Sequence, residues 1–259
     1  METVFIKVGG SFITVKNRPI SIREEALNSL TKILNEVIDG YRLVLGNGGG
    51  SFAHYTVMKY RESDYSTLLV KCHQSTRMLN RIIVDYLVSE GIKATSLQTS
   101  AIVGYRGDEL IVFPEPIHQL LHLDVVPVVY GECVPSPRGV DIFSTERVFE
   151  LLSPYLKPSR IVLLTDVPGV LSCDPKSCSN PELIPVINEE NMEQVLANLE
   201  KAGHADATGG MKAKVETMAS LSRRLGVEVY VVSGFDIDSA IDAVNGRMPQ
   251  IGTLIKLSA

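Results

Sequence analysis

Lysines set beside paired glycines are the residues of this chain whose types and spacing could do chemistry. The apolar run Leu43-Val44-Leu45 leads into Gly46-Asn47-Gly48-Gly49-Gly50-Ser51-Phe52-Ala53-His54, with four glycines in five residues. A strand entering such a stretch exposes backbone N–H groups to an anion and sets a histidine next to it. The same residues could also form a tight strand-to-helix turn with a surface histidine. Lys7 closes another apolar run, just before Gly9-Gly10-Ser11, and Lys16 follows in the same loop. A lysine there can reach a phosphate oxygen while the turn amides add donors; the alternative is a strand-end lysine extending its stem to solvent. The third such loop is Thr208-Gly209-Gly210-Met211-Lys212-Ala213-Lys214, where a glycine pair enters a helix and Lys214 stands one turn further on. If the three loops converge, they build one polyphosphate site. There is no Gly-x-x-x-x-Gly-Lys-Ser/Thr run and no Gly-x-Gly-x-x-Gly run, which argues against a P-loop and a dinucleotide fingerprint.

Positioning these loops requires strands that deliver them to one end of a sheet. Thr3–Val8, Arg42–Leu45, Lys93–Leu97, Val125–Tyr130, Arg160–Leu164, Glu228–Val232 and Thr253–Leu257 are short apolar, β-branched runs that predict strands, most of them buried. Helical spacing follows Ser21, read as an N-cap with Glu24, and continues to Gly40. It recurs after His54 to Lys59, from Ser75 to Glu90 with Met78, Leu79, Ile82, Ile83, Tyr86 and Leu87 inward, and after a Ser144 or Thr145 cap. Further helices are expected over Asn191–Gly203, after Gly210 and over Ser239–Asn245. Gly104–Phe113 reads as a hairpin turning at Arg106-Gly107-Asp108, and Cys133–Asp141, with two prolines, as a loop. The alternation predicts a three-layer αβα sandwich with a mainly parallel central sheet. Ligands bind at the carboxyl ends of the strands in such sheets. Pro154, Lys157 and Pro158 mark a boundary between a lobe over 1–156 and a lobe over 157–259, although one sheet could run through both.

Composition narrows the partners. At 259 residues, 45% of them hydrophobic, the chain can bury a substantial core. A formal charge of −5 argues against nucleic acid or an anionic membrane, and anionic substrates would need local positive charge. No apolar run has the length of a membrane span, and Met1–Val8 is strand-like, so a cytoplasmic setting is expected. Cys72, Cys133, Cys173 and Cys178 lack the spacing of a zinc site or a disulfide framework and are expected as free thiols, although Cys173 and Cys178 could pair if oxidised.

Lys7-Val8-Gly9-Gly10-Ser11, Gly48–His54, Thr165-Asp166-Val167-Pro168-Gly169-Val170 and Thr208–Lys214, in this order, resemble the amino acid kinase superfamily over nearly the whole chain. Within it, His54 four residues after the last loop glycine resembles the isopentenyl phosphate kinases and, more distantly, fosfomycin kinase. The resemblance implies ATP as phosphoryl donor, with Mg²⁺ bridging its phosphates through few direct protein ligands, and a small phosphomonoester as acceptor. It implies that Lys7, Lys16 and Lys214 hold the transferring phosphates, and that Gly9, Gly10, Gly49 and Gly50 cradle them. His54 would bind the acceptor phosphate. Asp166, Gly169, Asp174, Gly209, Ser233 and Gly234 would lie near the nucleotide. It further implies that the lobe over 1–156 binds the acceptor and forms a homodimer, while 157–259 binds ATP. The helix from Ser75 to Glu90 would wall the pocket for an apolar tail. The chain departs from the pattern at Asn47, Ala53, Gly131-Glu132 and Ser144-Thr145-Glu146, where the family usually has Gly-Asp and Ser-Gly-Asp in the last two places.

Overall fold

A computed structural model describes residues 1–15, 18–173, 178, 180–201 and 210–258. In chain order the elements are β1 (Thr3–Val8), α1 (Gly10–Ile13), α2 (Glu24–Val37), β2 (Arg42–Asn47), α3 (Gly50–Tyr60), α4 (Tyr65–Ser89), β3 (Ala94–Ser96), α5 (Thr99–Ile102), β4 (Val103–Arg106), β5 (Glu109–Val112) and α6 (Glu115–His122). They continue with β6 (Val126–Tyr130), β7 (Glu132–Ser136), β8 (Gly139–Phe143), α7 (Thr145–Leu156), β9 (Arg160–Thr165), β10 (Val186–Ile187), α8 (Met192–Lys201), α9 (Gly210–Leu225), β11 (Glu228–Ser233), α10 (Ile237–Val244) and β12 (Thr253–Ile255).

The central sheet has eight strands in the order β10-β12-β11-β9-β1-β2-β6-β3. All its pairs are parallel except β11 with β12. The expected mainly parallel sandwich is what forms. Side chains alternate between two cores. Val4, Ile6 and Val8 face α2, α4 and α10, while Phe5, Val44, Ile161 and Leu163 face α7 and α9. β1 is central, pairing Val4 with Leu43 on one side and with Arg160 on the other. One continuous sheet therefore crosses the boundary near Pro154, Lys157 and Pro158.

Several local expectations change. Ser21 does not cap α2: its hydroxyl donates to Arg18 O at 2.9 Å, and the helix begins at Glu24 behind Arg23. The helix expected from Ser75 starts ten residues earlier, because Asp64 accepts from Thr67 N at 2.9 Å and caps Tyr65. Cys133–Asp141 is a hairpin of β7 and β8 instead of a loop; a two-stranded ribbon leaves ladder positions open, so it tolerates Pro135 and Pro137. The Ser144 cap of α7 forms as expected, accepting from Arg147 N at 3.2 Å.

The free-thiol expectation is corrected for all four cysteines. Cys72 on α4 is bonded to Cys133 at the start of β7, with Cα atoms 6.0 Å apart across 61 residues, and Cys173 is bonded to Cys178. The first bridge is a tertiary contact, and nothing in the local spacing of either cysteine announces it.

Candidate functional site

Strand order brings the first two glycine loops together. β1 and β2 are parallel neighbours, so Lys7-Val8 lies against Gly46-Asn47 and both loops leave from the same edge. Gly48 N donates to Val8 O at 2.9 Å. A Cβ on Gly10 would stand 2.6 Å from Gly50 N, and a Cβ on Gly50 would stand 2.5 Å from Thr14 Oγ1. Gly50 also has φ +50°, the left-handed region that favours glycine. The glycines are thus needed where the two loops abut. Thr14 Oγ1 accepts from Ser51 N at 2.9 Å and links α1's end to α3's start.

α3 begins at Gly50, so its first turn leaves amides without helical partners. His54, the fifth residue of α3, follows that turn and is exposed. The amide of Gly9 is already used, donating to Leu164 O at 2.9 Å. Its lack of a side chain is what the site needs, since a Cβ would meet Leu164 O at 2.4 Å.

Lys7 points to the opposite face from Val8, toward α7 and α9. There its ammonium is hydrogen-bonded to Glu146 Oε1, with only 5% of Lys7 and 4% of Glu146 accessible. Burial pushes the Glu146 carboxyl up, but the Lys7 ammonium, then the Lys214 charge from α9 and the Lys7 hydrogen bond, hold it below the ordinary value of 4.5. Lys7 and Lys214, from opposite ends of the chain, therefore act on one buried carboxylate. Glu146 reaches it because Ser144 caps α7 and places the residue in the first turn, where the helix dipole favours negative charge. Glu146 stood out in the sequence only as a departure; its burial against Lys7 supplies what the spacing lacked.

At the far end of the site β9 delivers Thr165 and Asp166, and β11 delivers Ser233 and Gly234. Asp166 is exposed and Ser233 half-buried. Gly169 is a packing glycine, where a Cβ would lie 2.7 Å from Thr253 Oγ1. Gly234 donates to Thr165 O at 2.9 Å and lies under Phe12, whose ring a Cβ would meet at 2.5 Å. Phe12 of α1 thus ties the Lys7 loop to the end of β11, with Phe235 packed edge-on at 4.8 Å. The residues expected around a nucleotide share this edge. Lys16, Asp174 and Gly209 lie outside the described residues.

Sequence reasoning missed the polar face of α4. Leu79, Ile83 and Leu87 are buried as expected, but Met78 is 45% exposed and the inward positions toward the site are Cys72, Thr76 and Asn80. His73 Nε2 donates to Cys133 O at 2.8 Å, and Arg77 donates to His73 Nδ1 at 3.2 Å. Glu132 is buried, accepts from Ser100 N at 2.8 Å and lies 3.6 Å from His73 Nε2. Burial, then the Glu132 charge, pushes the Tyr130 hydroxyl above its ordinary value of 10. The helix expected from Ser75 takes only apolar positions inward, which passes over Thr76 and Asn80, and Cys72 and His73 lie before its expected start.

The architecture defines a three-layer α/β protein whose abutting glycine loops and buried lysine–glutamate pair share the carboxyl edge of a parallel sheet. The Amino acid kinase family profile matches residues 2–233. The chain belongs to this family. It is similar to the isopentenyl phosphate kinase of Methanocaldococcus jannaschii, at 32% identity over 98% of each chain, and to that of Thermoplasma acidophilum, at 28% over 98% of this chain and all of the other. Among solved structures, it is similar to the Thermoplasma acidophilum isopentenyl phosphate kinase product complex, with a TM-score of 0.80 and 26% identity over 98% of this chain and all of that one. A carbamate kinase from Giardia lamblia bound to AMP-PNP shares the fold, with a TM-score of 0.69 at 16% identity over 99% of each chain.

Proposed function

We propose that this chain is an ATP-dependent phosphotransferase that moves the γ-phosphoryl group of ATP onto isopentenyl phosphate, yielding isopentenyl diphosphate and ADP. The carrying observation is the junction itself: two abutting glycine loops with His54 near the start of α3, beside a lysine buried against Glu146. Family membership and near-full-length likeness to isopentenyl phosphate kinases support the acceptor.

In this reading Lys7 and Lys214 hold the donor phosphates, with Lys16 joining from the first loop, and offset the charge that spreads over the transferring group. Glu146 keeps the two ammonium groups apart and aimed. Gly10, Gly49 and Gly50 line the acceptor cradle, and His54 hydrogen-bonds the acceptor phosphate. That phosphate is already anionic near neutral pH, with a second pKa of about 6, so no general base is needed. The histidine binds and orients. The 157–259 lobe takes the adenosine part, with Asp166, Ser233 and Gly234 along its path. The Mg²⁺ ion that the family likeness implies would be carried in on the nucleotide phosphates. Mg²⁺ there neutralises phosphate charge.

The same proposal includes a cytoplasmic homodimer formed through the 1–156 lobe. No helix among the described residues is long and apolar enough to cross a membrane. The test is ADP release with a panel of small phosphomonoesters. Turnover with isopentenyl phosphate above the others is expected. Turnover with a different phosphate alone overturns the acceptor, and no turnover with any overturns the phosphotransferase.

A further inference from the structure

Asn47 ends β2 just ahead of the glycines, and its side chain faces α4. Both Asn47 and Asn80 of α4 are 1% exposed, and two amide side chains in such a place are costly unless bonded. Their bonds form a chain with a direction. The carbonyl of Val128 on β6 can only accept, and Asn80 Nδ2 lies 3.4 Å from it. The same NH₂ group donates to Asn47 Oδ1 at 2.8 Å. Asn47 must therefore turn its own NH₂ the other way, where it donates to Gly48 O at 3.3 Å. The polarity is set at Val128 and ends on the first carbonyl of the glycine loop.

A trans peptide is planar, with its C=O and N–H pointing in opposite directions. Holding the Gly48 carbonyl back against Asn47 aims the N–H of Gly49 away from Asn47. Gly48 is also the residue whose Cβ would lie 3.7 Å from Lys7 Cε and 2.9 Å from Gly10 N, so this peptide stands at the junction of the two loops. The backbone carbonyl of Asn47 is held too, accepting from Thr145 Oγ1 at 2.7 Å and Gly131 N at 3.1 Å. Asn47 cannot swivel without breaking contacts to α4, α7 and β6 together.

We propose that Asn80 is a positioning residue for the acceptor: through Asn47 it fixes the Gly48–Gly49 peptide so that the Gly49 amide is presented to the acceptor's phosphate. This rests on the reading of Gly48–Gly50 as the acceptor cradle. Asn80 touches neither substrate. Its loss acts on acceptor binding and spares the donor, whose Lys7 points to the other face of the sheet.

The test compares Asn80→Leu, which removes both donors at similar volume, with Asn80→Asp, which keeps the shape but reverses the relay, since a carboxylate only accepts. Asn47 must then turn its oxygen toward the Gly48 carbonyl. For each folded variant the expected result is an acceptor KM raised about tenfold, roughly 1.4 kcal/mol, with the KM for ATP and kcat within about twofold. Amide exchange over residues 46–53 is expected to speed up about tenfold. Asn47→Ala combined with Asn80→Leu is expected to cost no more than the worse single change, because both cut one relay. If Asn80→Leu does not fold, the Asp variant carries the comparison. An unchanged acceptor KM, or KM values for both substrates rising together, overturns the inference. If the wild-type chain turns over no phosphate, the cradle reading has failed, and the exchange measurement still decides the relay: unchanged protection over 46–53 overturns it.

Discussion

Replacing Glu146 by glutamine isolates the charge on which Lys7 and Lys214 converge. The amide keeps the shape and still offers an oxygen to the Lys7 ammonium, so packing and about 1 kcal/mol of hydrogen bonding remain. The ionic attraction does not remain. Unit charges 4 Å apart attract by about 4 kcal/mol at an effective dielectric of 20. Stranding one member of a buried pair costs about 3–5 kcal/mol. After allowing for the retained hydrogen bond, a loss of about 2–4 kcal/mol is expected, or roughly 5–15 °C in Tm for a chain of this size. The pH dependence follows from the direction of the Glu146 shift. Its folded value lies below the ordinary 4.5, so the pair's contribution is fully present above that value and is lost as pH falls through the lowered one. The difference in Tm between wild type and Glu146→Gln should be constant from pH 8 to about 5 and shrink only below 4.5. Removing the carboxylate also takes away the negative charge on which Lys7 and Lys214 both act, so inorganic triphosphate should raise the variant's Tm more than the wild type's. Thermal scans over this pH range, with and without triphosphate, check all three. A variant within about 1 °C of wild type at pH 7, or a difference that does not close in acid, would refute the reasoning.

Replacing His54 by alanine should raise the acceptor KM about 10- to 100-fold, the range for a hydrogen bond to a charged group, while leaving the KM for ATP unchanged; steady-state kinetics with each substrate varied checks it. Gly50→Ala meets both a positive φ and Thr14 Oγ1 at 2.5 Å, so it should cost roughly 2–3 kcal/mol, read in denaturant melts. Cutting the Cys72–Cys133 bridge, which spans 61 residues, should cost ~4 kcal/mol; melts with and without a dithiol measure it, and Cys72→Ala should abolish the dithiol's effect at that bridge.

The elements that hold the candidate site announce themselves in the chain because each rests on a local signal. β1 and β2 are unbroken apolar runs, and glycine pairs stand where a strand gives way to a helix. What escaped was the side-chain pairing made where distant segments meet. Glu146 reads as one acidic residue after a cap until β1 brings Lys7 against it. Asn80, Thr76 and Cys72 sit at core spacing on α4, and the partners that make them a polar face, Asn47 and Cys133, come from other elements. Pro135 and Pro137 suggested a loop because their effect on a ladder depends on which positions pair. Local chemistry is written in neighbours along the chain; pairing depends on the sheet order.

That order also has a consequence in time. β1 is the first strand made, yet it occupies the middle of the sheet, and its second neighbour, β9, begins only at Arg160. At a synthesis rate of about 5–20 residues per second, β1 waits about 10–30 s with one edge open. Through that interval β2 is its sole sheet neighbour, and Lys7 meets α7 only at its end and α9 only after it. A nascent chain of this protein is therefore exposed longest at the strand that carries its central lysine, which is where a ribosome-associated chaperone would have most to protect.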